Sequence, residues 1–149
     1  MDEAIVSIRR DTATRGNWGG VYGREGYTLL NYSGGGGDEM VLPSFIGSLD
    51  VGGSPEPLLW EEGTLDPRAL SPNLRNSRKR NASAYSCPDG KLTVAVVLNE
   101  PRLYQVALYF VDWEKQGASQ RVDVLDAETL KPLAPSETVS EYADGMYLI

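Results

Sequence analysis

Short runs of β-branched and aromatic residues, each cut off by Gly, Pro, Asn or Asp, recur from one end of this chain to the other. That punctuation restricts the fold more than any other feature. A strand needs only a handful of such residues, whereas a helix needs apolar positions at helical spacing over roughly ten or more. Candidate strands are Ala4–Ile8, Tyr27–Tyr32, Val41–Leu49, Leu58–Glu61, Ala82–Cys87, Leu92–Leu98, Leu103–Trp113, Gln120–Leu125 and Met146–Ile149. No segment carries convincing helical periodicity, and Asp126–Lys131 has room for one turn. The pattern predicts an all-β fold, an antiparallel β-sandwich or barrel. At 149 residues the chain is long enough to bury a core and reads as a single domain, 1–149.

The two strongest runs are neighbours. In Lys91–Asn99, Leu92, Val94, Val96 and Leu98 share one face, and Ala95 and Val97 keep the other apolar. Leu103–Trp113 is again apolar on both faces, the pattern of a central strand covered on two sides. The short link Asn99-Glu100-Pro101-Arg102 joins them as an antiparallel hairpin. Pro88-Asp89-Gly90 and Asp144-Gly145 are further turn signals. The glycine tract in Ser33–Asp38 reads as a flexible loop, and 73–81 as a second polar loop. Asn31-Tyr32-Ser33 and Asn81-Ala82-Ser83 match the N-glycosylation sequon, which matters only in a secreted eukaryotic setting.

Two absences bound the chemistry. The chain has no histidine and one cysteine, Cys87. Zinc, copper and non-haem iron sites, Ser-His-Asp and Cys-His nucleophiles, and an intrachain disulfide are thereby excluded. A metal here would need oxygen ligands, with calcium the leading case; Asp38, Glu39, Asp50, Glu61, Glu62 and Asp66 supply oxygens, without the spacing of an EF-hand loop. Formal net charge is −7, which argues against nucleic acid and anionic membranes as partners. The one basic run, Arg75-Asn76-Ser77-Arg78-Lys79-Arg80, reads as a solvated loop or a local anion contact. No apolar run approaches the ~20 residues of a membrane helix, and the start lacks a signal-peptide layout.

"DTATRGNWGGVYGREGY", "LPSF", "DPRAL", "VALYFVDWE" and "RVDVLDAETL" follow one another in an order that resembles a bacterial domain type. That type is lectin-like, a carbohydrate-binding β-sandwich of the galactose-binding, jelly-roll kind, appended to secreted multidomain proteins such as glycoside hydrolases. The likeness runs from about Val6 to Ile149. It implies a non-catalytic module that binds a polysaccharide, an extracellular setting, other domains of a larger protein as partners, and a structural calcium by analogy. Similar domains continue beyond Tyr147-Leu148-Ile149 into a further strand. A jelly roll without that strand has an unpaired edge, open to homodimerisation, to a partner's strand, or to Ala4–Ile8.

For a sugar site, aromatic faces stack on pyranose C–H faces while polar neighbours take the hydroxyls. Trp18, in a Gly/Asn turn, and Trp113, at the end of an apolar run, are the leading platforms among Trp18, Tyr22, Tyr27, Trp60, Tyr85 and Trp113. Asn17, Asp112 and the pair Asp66 and Arg68 are the polar candidates. Each has a plainer reading: Asp11 and Asn17 as turn caps, Asp66–Arg68 as an internal salt bridge, and the aromatics as core. The glycines of Gly16–Gly26 favour architecture for Tyr22 and Tyr27. A structural or protein-interaction sandwich is the alternative function. A small hydrolase with paired carboxylates, Glu61-Glu62 or Glu114, stands further off because nothing singles those acids out.

Overall fold

The computed structural model describes residues 7–35, 37–53, 55–72, 80–86 and 90–149. Among them the chain is all-β, without a helix, and every strand pairing is antiparallel. The strands form several small sheets within two compact units: Met1–Arg15 with Gln105–Ile149, and Gly16–Tyr104.

In the first unit, β1 (Arg10–Asp11), β11 (Met146–Leu148) and β8 (Leu108–Phe110) make a three-stranded sheet with β11 in the middle. The backbone pair Arg9–Ile149, bonded both ways at 2.9 Å, extends the β1 ladder. Successive residues of a strand face opposite ways, and β11 is buried on both faces. Met146 and Leu148 join Val139 and Tyr142 in the core, with Ile8, Phe110 and Val122 packed against it. On the opposite face Tyr147 lies 4.5 Å from the Tyr109 ring, and its hydroxyl donates to the Arg15 carbonyl. The turn before β11 demands glycine: Gly145 has φ +96°, and a Cβ there would sit 2.2 Å from the Tyr109 hydroxyl. β9 (Ser119–Val122) and β10 (Glu137–Ser140) form a separate hairpin. Arg10 ties β1 to β10 through Glu137 at 2.9 Å and the Thr138 carbonyl at 3.1 Å.

The second unit holds three ribbons: β2 (Tyr27–Gly34) with β3 (Gly37–Val41), β4 (Ile46–Gly52) with β7 (Thr93–Leu98), and β5 (Glu56–Thr64) with β6 (Arg80–Ser86). Side chains, not a backbone ladder, fasten β2 to the β5–β6 ribbon. Asn31, buried with φ 55°, donates its amide to the Leu58 carbonyl at 2.9 Å, and its N–H reaches Asp38 at 2.8 Å. Asn81 donates to the Tyr32 carbonyl at 2.8 Å and accepts from the Gly63 N–H at 3.0 Å. Ser83 donates to the Leu30 carbonyl at 3.1 Å. The Tyr85 hydroxyl donates to Asp38 at 2.7 Å; that bond first, then burial and the carboxylate charge, push the phenol up to about 12.

Several sequence expectations are corrected here. Val41–Leu49 is not one strand: the turn at Pro43–Ile46, closed by a 3.0 Å bond, splits it between β3 and β4. The expected β7–β8 hairpin does not form; β7 pairs with β4 and β8 with β11. Of the Leu103–Trp113 run only Leu108–Phe110 is strand. Nor is that run covered on both sides as expected, since Leu103 and Val106 are 82% and 60% exposed. Part of the Ser33–Asp38 segment is strand, with Gly34 paired to Gly37. β11 has no open edge, being paired on both sides. Met1–Val6, 73–79 and 87–89, which carry most of the first expected strand, most of the basic run, Cys87 and Pro88-Asp89, lie outside the described residues. Asp126–Lys131 does close a single turn, with Leu130 N–H on the Asp126 carbonyl at 2.8 Å.

Candidate functional site

The glycine-rich entry Gly16–Tyr27 is a knot of turns wrapped around an indole. Val21 and Tyr22 both donate to the Trp18 carbonyl at 2.9 Å. Gly23, at φ +65°, lies so close to the ring that a Cβ would meet it at 2.6 Å. Tyr27 closes another side, its ring 5.0 Å from Trp18. Trp18 is therefore 5% exposed and belongs to the core with Tyr22. It is not a solvent-facing sugar platform, which corrects the expectation drawn from its turn context.

Asn17 is exposed, but its side-chain oxygen is taken by the Arg80 guanidinium at 2.6 Å. Arg80, a buried cation, also donates to the carbonyls of Pro67 and Ala69 at 3.3 Å. Gly16 fits the same corner: its N–H reaches the Pro67 carbonyl at 2.7 Å, and a Cβ would stand 2.0 Å from the Ala69 oxygen. Asp66 and Arg68 pair with each other at 2.8 Å, and Asp66 also accepts the Arg68 N–H at 2.9 Å. Asn17, Asp66 and Arg68 are thus brought into one corner, where Arg80 and Gly16 join two loops and the Asp66–Arg68 pair braces one of them. Asp11 caps its own turn, accepting the N–H groups of Ala13 and Thr14 at 2.8 and 3.1 Å.

Asp112 and the half-buried Trp113 belong to the other unit. The Asp112 carboxylate gathers the N–H groups of Gln116, Gly117 and Ala118 at 3.1, 2.8 and 3.1 Å. The bond from Gln116, with those from Ala118 and Gly117, holds its carboxyl below the usual range, while burial acts the other way. Its role is to tie a loop.

A different group, not marked by the sequence reading, faces outward. Gly26 lets the entry loop press on the "LPSF" turn, where a Cβ would meet the Pro43 ring at 2.5 Å. Asn99 then pins the link after β7 to that turn, its N–H on the Phe45 carbonyl at 2.8 Å and its amide on the Ser44 carbonyl at 3.1 Å. Glu25, Phe45, Arg102 and Tyr104 converge as a result. The Arg102 guanidinium lies 3.9 Å over the Phe45 ring and 5.3 Å from the Tyr104 centroid. The two rings are 5.3 Å apart, tilted by 38°, and both are half-buried. Glu25 reaches Arg102 at 3.4 Å, with side chains 69% and 40% exposed.

No family model, curated protein or solved structure matches this chain. The site must be read from its own chemistry. Rings, a stacked cation and an exposed carboxylate present apolar faces, donors and acceptors together on one surface. Among the described residues no three His, Cys, Asp or Glu side chains group as metal ligands, and no helix is long and apolar enough to cross a membrane. Asp38 and Asp66, two of the oxygens considered for calcium, are held by Asn31 and Tyr85 and by Arg68. The signal the sequence did offer was an aromatic in a proline turn, with Arg-Leu-Tyr in a proline link. Only the β4–β7 pairing brings them together.

Proposed function

We propose that the protein is a non-catalytic carbohydrate-binding β-module whose sugar-facing surface is Glu25, Phe45, Arg102 and Tyr104. In this reading its ribbons belong to a galactose-binding-like jelly-roll sandwich, and it serves a larger secreted protein by delivering it to polysaccharide. The observation that carries the reading is Arg102 stacked over the partly exposed Phe45 ring beside that of Tyr104. A sugar's C–H face meets the ring of Tyr104, its polar groups reach the guanidinium edge, and affinity is modest because the contact is small. The test is affinity electrophoresis of the chain against a panel of polysaccharides. Binding lost in Tyr104→Ala with an unchanged circular dichroism spectrum supports it. Retention of binding in that variant, or no binding to any member, refutes it.

A second reading, a protein-interaction module, is favoured by β7. That strand has no charge, glycine or proline, and no described strand lies on its far edge. Such edges invite strand addition. The occupant it fits is a second copy: a two-fold axis at Val96 sets Val94 against the other copy's Leu98 and Ala95 against its Val97, all apolar pairs. A concentration-dependent dimer abolished by Val96→Lys supports this; a monomer at every concentration refutes it.

A further inference from the structure

We infer that the ligand taken at Arg102 is a carboxylate-bearing sugar, a uronate unit of an acidic polysaccharide. The inference rests on the carbohydrate reading and narrows it.

The guanidinium is placed before any ligand arrives. Stacking over Phe45 at 3.9 Å, beside Tyr104, fixes its plane. An arginine held in this way recognises a planar carboxylate by two parallel N–H···O bonds, at less cost in side-chain entropy than a free one. Among the described residues its hydrogen bonding is far from complete. Only Nη2 has a partner, and it reaches both Glu25 oxygens at 3.4 Å, too long for a well-made charge-assisted bond. Nε and Nη1 have none.

Glu25 is itself a carboxylate, loosely seated and 69% exposed. It stands where a ligand carboxylate belongs. A two-point contact uses Nη2 together with Nε or Nη1, so an incoming acid takes Nη2 from Glu25, which swings into solvent. A neutral sugar supplies no such exchange partner. Glu25 is thus a built-in competitor, and removing its charge strengthens binding of an acid while leaving the platform in place.

The test is calorimetric titration of the full chain with polygalacturonate, with its fully methyl-esterified form, and with dextran sulfate. The expected result is binding to polygalacturonate with little to the ester. Glu25→Gln then tightens it about two- to fivefold, the range of an exposed ion pair. Arg102→Lys, which keeps the charge and loses the planar fork, weakens it about tenfold or more. Loss of affinity in Arg102→Lys with no gain in Glu25→Gln overturns the exchange. Equal binding of acid and ester overturns the inference and leaves the carbohydrate reading standing. Dextran sulfate bound as tightly as polygalacturonate overturns it in favour of bulk charge. No binding to any of the three, nor to the neutral panel, overturns both.

Discussion

Replacing Arg80 with methionine separates architecture from ligand binding at the Asn17–Asp66–Arg68 corner. Methionine keeps an apolar stem of similar reach, so the change removes the guanidinium and little packing. The bonds lost include one of 2.6 Å to Asn17 and two of 3.3 Å to the carbonyls of Pro67 and Ala69. The short charge-assisted bond is worth about 2–3 kcal/mol, and the two long ones about 1 kcal/mol together. The fold should lose ~3–4 kcal/mol, a large part of the roughly 5–15 kcal/mol that such domains possess. In urea, with a slope of about 2 kcal/mol per molar, the midpoint falls by roughly 1.5–2 M. A double-mutant cycle with Asn17→Ala should recover a coupling of about 1–2 kcal/mol, because the two changes delete the same bond. A midpoint within about 0.3 M of the parent, or no coupling, would show that Arg80 does not hold the two loops, and would restore Asn17 to the binding candidates.

The phenol of Tyr85 is raised from 10.0 to about 12 in the fold, so the stability it contributes is full below pH 10 and is lost as pH rises towards 12. Tyr85→Phe should flatten the alkaline decline in stability; an alkaline unfolding midpoint identical to the parent's contradicts this. Asn31 donates its amide to Leu58 from a site 1% exposed, so a glycan there is incompatible with the β2–β5 contact. Secretion from a eukaryotic host should give folded protein unmodified at Asn31, as read by intact mass, and a folded fraction glycosylated there would overturn the placement of β2.

Strands whose signal is local were legible. β2, β5, β6, β7 and β11 fall on the expected apolar runs because alternation and turn residues act within a few positions. The Asp66–Arg68 pair was visible for the same reason, its partners being two residues apart. Failures came where a distant segment decides. Leu103–Trp113 is apolar enough for a long strand, yet strand length is set by what lies alongside, and β11 offers only Met146–Leu148. β7 found β4 instead of its neighbour, a choice no short window contains. Trp18 was misread because glycines usually mark exposed turns; here Gly23 gives up its side chain so that the turn can close on the indole. Arg80 sits in a basic run that suggests solvent, and its burial relies on the Pro67 and Ala69 carbonyls and the Asn17 side-chain oxygen, from two other loops. The Arg102 patch needed the β4–β7 pairing before its parts could be seen together.

The middle place of β11 also sets a clock. Arg10 and Asp11 leave the ribosome long before their partners, Leu148 and Tyr147. β8 waits for the same short segment. Ribbons of the Gly16–Tyr104 unit pair within their own stretch of chain, so they can form while the sheet that encloses them in sequence is still missing its central strand. Long-range closures of this kind are slow. The nascent chain therefore carries Ile8, Phe110 and Val122 uncovered until Met146 and Leu148 arrive, and that interval is when a chaperone, or a stray neighbouring chain, has its best chance to bind.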